Sequence, residues 1–214
     1  MCGRYTTELE TEERELYQIL ARAEQNSSSM TMSNHSVRAS VSASNGHEVF
    51  PADFAPVLTA GAYTDIDAFL FRWGFSSTFG GKHSLLINAR SESALEKPLF
   101  SSHFLYHRCV IPTAGFFEWA HNGMRADPAR KYRFNLPQTG MLFLAGFYRK
   151  SDQNPNETEF IILTREANES MAPIHHRMPV NLRKEHIEEY LLNTASAQLL
   201  LKETPPVLIK RLVS

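Results

Sequence analysis

At 214 residues, with 43% hydrophobic and 11% aromatic side chains, the chain carries enough apolar material for a sizeable core, and its length predicts one domain over 1–214. A formal charge of −1 argues against broad, charge-driven binding to nucleic acid or anionic membrane, although arginines gathered in space still permit a local basic groove. Cys2 and Cys109 are the cysteines, too few for a disulfide framework and without a CxxC zinc pair; with no signal-like or membrane-length apolar run, the expected compartment is the reducing cytoplasm.

The chain opens with Met1-Cys2-Gly3-Arg4-Tyr5. A small residue at position two favours removal of the initiator methionine, which leaves Cys2 as a 1,2-aminothiol. Its amine and thiol have ordinary pKa values of about 7.7–8.0 and 8.5, so both are partly nucleophilic near neutrality. Such a pair condenses with aldehydes: the amine forms an imine and the thiol closes a five-membered thiazolidine. An adjacent amine also serves as a base for a nucleophile. Gly3 permits a sharp turn, and Arg4 is a fixed cation suited to phosphate. The competing reading is a frayed, inert terminus.

Thr11-Glu12-Glu13 predicts a helix start, followed by Leu16, Ile19, Leu20 and Ala23 at helical spacing. The serine-rich stretch 26–48 predicts a mobile loop. Phe50-Pro51-Ala52-Asp53 and Pro56-Val57-Leu58 re-enter as extended chain. Strands then dominate: residues 68–75, which contain Arg72-Trp73-Gly74, and 85–87, which deliver Asn88-Ala89-Arg90, with a turn at Gly80-Gly81 between them. Residues 91–107 read as a helix broken near Pro98. Strands are predicted at 108–112 and 115–120, and residues 131–136 and 141–148 as a pair joined by a turn at 137–140. A buried strand at 160–164, helices at 183–192 and 195–201, and a closing strand at 207–213 complete the pattern. The fold class is α+β, with curved, partly barrel-like, mainly antiparallel sheets and peripheral helices.

Glu118 lies in Gly115-Phe116-Phe117-Glu118-Trp119. Alternation puts Phe117 and Trp119 on one face and Phe116 and Glu118 on the other. A carboxyl among aromatics is desolvated and suits general acid/base work near neutrality; the alternative is a solvated edge carboxylate. His175 lies between Pro173 and Pro179, which make a stiff loop of the kind that supports catalysis; the alternative is an imidazole bonded to backbone. His176 is expected to point away from its neighbour. His103 and His107 have metal-ligand spacing without an evident third ligand, so no metal or other cofactor is expected. Cys109, beside Val110 and Ile111, reads as a buried thiol.

These motifs occur together in one order: Met1-Cys2-Gly3-Arg4-Tyr5, Arg72-Trp73-Gly74, Asn88-Ala89-Arg90 with Glu92, Phe117-Glu118-Trp119, and Ile174-His175 with Arg177-Met178-Pro179. In that order they resemble the SOS-response-associated peptidase (SRAP) family, whose members crosslink to abasic sites in single-stranded DNA. The resemblance implies Cys2 as nucleophile, Glu118 as acid/base that also assists release of Met1, His175 as proton shuttle, and Asn88 as the group orienting the Cys2 amine. It further implies that Arg4, Arg90 and Arg177 hold phosphates and that Trp73 packs against a DNA base. The partner implied is abasic single-stranded DNA, acted on by a monomer in the cytoplasm, at the nucleoid. Nearby arginines are expected to favour the thiolate. Many members carry Asn-x-Ala-Pro after the first helix; Phe50-Pro51-Ala52-Asp53 occupies that region here. An N-terminal-nucleophile hydrolase acting on peptides or amides is the alternative, and a non-catalytic DNA-binding module a third.

Overall fold

The strands of the larger sheet serve two cores, one against the helices and one against the smaller sheet, because neighbouring residues such as Val57 and Leu58 or Val110 and Ile111 face opposite sides. The computed structural model describes residues 2–7, 14–29, 48–61, 65–79, 82–120, 130–137 and 141–213. The smaller sheet has five strands. Its central strand is β9 (Gly115–Ala120), with β1 (Tyr5–Thr6) and then β2 (Glu48–Val49) on one side and β10 (Arg130–Asn135) and then β15 (Ile209–Leu212) on the other. All four of its pairings are antiparallel.

The larger sheet is built on β3 (Phe54–Ala60), β4 (Ile66–Trp73), β8 (Arg108–Thr113), β11 (Leu142–Lys150) and β12 (Thr158–Glu166). β12 pairs with both β4 and β11, so the path β12–β4–β3–β8–β11 returns on itself as a curved ring of strands. Short strands β13 (Arg177–Pro179) and β14 (Asn181–Leu182) join β12 and β11, and β7 (Asn88–Arg90) lies parallel to β12. β5 (Phe75–Phe79) and β6 (Lys82–Leu86) form a separate hairpin. The α+β, mainly antiparallel architecture agrees with the sequence reading.

Helix α1 (Arg14–Ser29) buries Leu16, Leu20 and Ala23 in one core, with Leu58, Ala68 and Leu70 from the ring. The same core takes apolar residues of α2 (Pro98–Tyr106), α3 (Ile187–Leu192) and α4 (Thr194–Leu200). Pro98 stands at the start of α2, as its fixed φ and missing N–H favour. Buried Arg108 closes the C-terminal ends of α2 and α3: it donates to the carbonyls of Phe104, Leu105, Tyr190 and Leu191 and to the Thr194 hydroxyl. The second core lies between the two sheets and contains Cys2, Tyr5, Trp73, Phe116, Phe134, Phe160 and Met178. Among the described residues no helix is long and apolar enough to cross a membrane.

Two local expectations are corrected. Residues 26–29 belong to α1 rather than to a loop: Asn26 Nδ2 donates to the Ala68 carbonyl at 3.0 Å, and Ser27 Oγ accepts from Leu70 N at 2.9 Å. Polar side chains that would otherwise end the helix instead satisfy backbone groups of β4. Of the rest of the serine-rich stretch, 30–47 lie outside the described residues and Glu48 belongs to β2 rather than to a loop. The strands at 131–136 and 141–148 do not pair with each other. β10 sits between β9 and β15 in the smaller sheet, whereas β11 pairs with β8, β12 and β14 in the larger one.

Candidate active site at the N-terminal cysteine

β1 carries the head of the chain into the space between the sheets. Tyr5 pairs with Val49 on one side and Phe116 on the other, and Phe117 N donates to the Arg4 carbonyl at 2.9 Å. Cys2 is therefore not frayed: it is 1% exposed and part of the inter-sheet core. Asn88, at the start of β7, reaches across and donates from Nδ2 to the Cys2 carbonyl at 2.8 Å. Asn88 Oδ1 is buried and without a hydrogen-bond partner among the described residues.

Glu118 points into the same core. Alternation along β9 holds as expected: Phe117 and Trp119 share the outer face, where Lys131 lies over both rings, while Phe116 stacks on Phe134 at 5.3 Å on the inner face. Burial, with the Glu118 carboxylate nearby, pushes the Cys2 thiol up to about 12. The resting thiol is thus protonated, and the expectation that arginines favour its thiolate is overturned. The Arg4 guanidinium is occupied elsewhere, with Glu48 at 3.2 Å and the Phe50 ring at 4.2 Å.

His175 sits on a loop held by backbone bonds from Ala167 N to the His176 carbonyl and from Ile174 N and His175 N to the Met171 carbonyl. Arg177 N donates to His175 Nδ1 at 2.9 Å. Nδ1 is therefore an acceptor, which in the neutral ring leaves the proton on Nε2. Burial holds the imidazole below its ordinary pKa, with Glu118 acting in the opposite sense. That mutual influence places Glu118 within electrostatic reach of both Cys2 and His175. The His176 ring stacks on His175 at 4.5 Å rather than pointing away, because the two residues lie in irregular chain just before a strand and not within one.

Two residues assigned to DNA contact take other places. Trp73 is fully buried; its ring lies 5.1 Å from Tyr5, and Nε1 donates to the Ile87 carbonyl at 3.0 Å. An indole enclosed in this way cannot pack against a DNA base and instead fixes the approach of β7. Gly74, with φ of +111°, turns the chain out of β4, and a Cβ there would lie 2.5 Å from Leu85 Cγ. Arg177 is buried and spans Glu92 with both terminal nitrogens, at 2.7 and 2.8 Å, while also donating to the Thr164 carbonyl. It braces the His175 loop rather than presenting a free cation, and it holds the Glu92 carboxyl down at about 2. Arg90 is exposed at the end of β7.

Sequence reasoning passed over Glu48 and Lys131, whose charges meet beside Arg4. Among the described residues no group of three or more His, Cys, Asp or Glu is placed to hold a metal ion. The His103 and His107 rings lie 6.1 Å apart, packed on Phe75 and Tyr148 respectively.

A buried cysteine at the head of the chain, with an amide on its carbonyl and a carboxylate and an imidazole acting on the same space, defines a candidate N-terminal nucleophile site on a two-sheet α+β scaffold. The family model described as SOS response associated peptidase (SRAP) matches residues 1–210, and the chain belongs to that family. It is similar to "Abasic site processing protein YoqW" of Bacillus subtilis (38% identity over 128 residues, 56% of this chain and 55% of that protein). It is also similar to "Abasic site processing protein YedK" of Escherichia coli (28% over 127 residues, 59% and 55%). The aligned region thus spans about half the length of these curated relatives. A solved structure from Bordetella bronchiseptica shares the fold with a TM-score of 0.70 at 19% identity, covering 100% of both chains. One from Bacteroides thetaiotaomicron gives 0.63 at 25% identity, covering 78% of each.

Proposed function

We propose that the protein processes abasic sites by crosslinking to them in single-stranded DNA, through a thiazolidine formed by Cys2 once Met1 is removed. The observation that carries this reading is the enclosure of Cys2 with Glu118 and His175 in electrostatic contact, on a chain whose relatives are named for abasic-site processing. An abasic site exposes a masked aldehyde where a base was lost. Ring opening moves one proton from the anomeric hydroxyl to the sugar ring oxygen: Glu118 accepts the hydroxyl proton, His175 gives its Nε2 proton to the ring oxygen, and Glu118 returns the proton to His175. The Cys2 amine adds to the aldehyde carbon, and loss of water leaves an imine. Asn88 Oδ1 accepts a hydrogen bond from that amine and holds its lone pair toward the carbon.

The thiol then needs a base, because burial keeps it protonated. Glu118 takes the thiol proton as sulfur bonds to the imine carbon, and the proton finishes on the ring nitrogen. The net result is one C–S and one C–N bond at the former aldehyde carbon, with water released. Removal of Met1 by the protein itself would use the same carboxylate. Single strands present the lesion without the cost of unstacking a duplex, and Arg4 and exposed Arg90 are the cations placed to meet flanking phosphates. The adduct shields the lesion, and covalency supplies a persistence that a near-neutral chain cannot obtain from charge alone. The protein acts as a monomer in the cytoplasm.

The test is a denaturing gel and intact mass after incubation with abasic single-stranded DNA. Wild-type protein is expected to lose Met1 and gain the mass of the oligonucleotide less one water, and Cys2→Ala to give no denaturation-resistant complex. A wild-type yield from Cys2→Ala overturns the mechanism.

A further inference from the structure

On the outer face of the five-stranded sheet, opposite the face that carries Glu118, one carboxylate serves two cations. Glu48 Oε2 lies 3.2 Å from Arg4 Nη1, and Glu48 Oε1 accepts from Lys131 Nζ. Each oxygen holds one cation, so the carboxylate bridges them through its O–C–O edge. The non-bridging oxygens of a phosphodiester present the same kind of edge, O–P–O, with a full negative charge.

Both cations are held independently of Glu48. Lys131 Nζ lies 4.1 Å from the centre of the Phe117 ring, and Arg4 lies 4.2 Å from that of Phe50 and 5.0 Å from that of Trp119. Ring faces attract a cation without neutralising it, so the pair remains in place when the carboxylate leaves. The Lys131 side chain is 11% exposed and that of Glu48 32%, so the carboxylate is the more accessible partner. It also stands on β2, a two-residue strand at the margin of the sheet, from which a change of rotamer moves it into solvent. Arg4 follows Cys2 by two residues, at most about 7 Å of chain, so a strand whose lesion is bound at Cys2 has to leave past the backbone that carries Arg4.

We propose that Arg4 and Lys131 form a phosphodiester subsite in which Glu48 is a resident counter-ion that the DNA backbone beside the lesion displaces. The inference rests on the abasic-DNA reading above and adds Lys131 and Glu48 to it. While Glu48 is in place the subsite carries one net positive charge rather than two, which keeps intact strands weakly held.

The experiment measures anisotropy of a labelled oligothymidylate without abasic sites across a potassium chloride series, for wild type, Glu48→Gln, Lys131→Gln and Lys131→Arg. Thermal melting confirms that each variant is folded. Glu48→Gln is expected to bind about fivefold more tightly, the weight of one unit charge at contact distance in water. Lys131→Gln is expected to bind more weakly and to lower the log–log salt slope by about 0.7, one phosphate contact to a single strand; Lys131→Arg retains the slope. Unchanged or weaker binding by Glu48→Gln, or a wild-type slope in Lys131→Gln, overturns the subsite. Adduct yield on abasic DNA is scored separately. A normal wild-type adduct with inert Glu48 and Lys131 variants removes the subsite alone, whereas no wild-type adduct removes the reading on which it rests.

Discussion

Asn88→Ala separates positioning from packing at the reactive centre. The side chain makes one neutral hydrogen bond of 2.8 Å to the Cys2 carbonyl, and loss of such a bond costs about 1 kcal/mol of stability. For a chain of this length that lowers the melting temperature by about 2–4 °C. The effect on chemistry is larger. Asn88 is fixed by parallel pairing of β7 with β12, where it stands opposite Ile162, and it is the tether that sets where the head of the chain lies relative to Glu118 and His175. A displacement of about 1 Å at a reacting centre costs about a hundredfold in rate, or about 2.7 kcal/mol in the barrier. Single-turnover adduct formation on abasic single-stranded DNA, followed on denaturing gels, is expected to slow by about that factor while affinity for intact strand stays at the wild-type value. Asn88→Asp fills the same volume but cannot donate to the Cys2 carbonyl, so it is expected to be at least as slow. A rate within about threefold of wild type in Asn88→Ala, or recovery in Asn88→Asp, refutes the positioning role.

The remaining expectations concern pH and the reassigned residues. His175 lies below its ordinary 6.5 because it is buried, so its inflection in the adduct rate is expected below 6.5, apart from the one the Cys2 amine contributes near its ordinary value of about 7.7–8.0; His175→Gln removes the lower inflection and leaves the upper, which rate-against-pH profiles record. Glu92 is held at about 2 against an ordinary 4.5, chiefly by its hydrogen bonds from Arg177. A depressed carboxyl contributes stability above 4.5 and loses it as pH falls toward 2; with that side chain half-exposed and screened, the contribution is about 1 kcal/mol. Urea unfolding of wild type and Glu92→Gln should therefore differ by a constant amount above about pH 5 and converge near pH 2. Trp73→Phe removes the indole bond to the Ile87 carbonyl and strands a buried acceptor, at about 1–3 kcal/mol. Melting temperature should drop while affinity for intact single strand does not change; a loss of affinity in the folded variant would restore Trp73 to the DNA surface.

Strands whose own residues carry the signal were legible in the sequence. The run Phe160-Ile161-Ile162-Leu163 is apolar throughout because β12 is enclosed on both faces, and alternation along β9 put Glu118 and Trp119 on opposite faces. Elements decided by distant neighbours were not legible. Residues 137–140 have turn composition, but β10 follows β9 and β15, which local composition cannot encode. Asn26 and Ser27 read as helix-ending because their partners are backbone groups of β4, more than 40 residues away. At the site, Cys2, Asn88, Glu118 and His175 were singled out by residue chemistry and motif order, whereas their surroundings were not. Trp73 is enclosed by Tyr5 and Phe160, one from each sheet, and the pairing of Glu48 with Lys131 spans 83 positions.

Arg108 binds the last carbonyls of α2 and of α3 with a single guanidinium, and it reaches Thr194 at the start of α4. Neither helix end can fray without loosening the other, although the two lie more than 80 residues apart in the chain. The three helices are thereby joined into one cooperative unit, whose amides exchange with solvent together rather than helix by helix. A lesion in α2 would register as softening at α4, on a segment it does not adjoin in sequence.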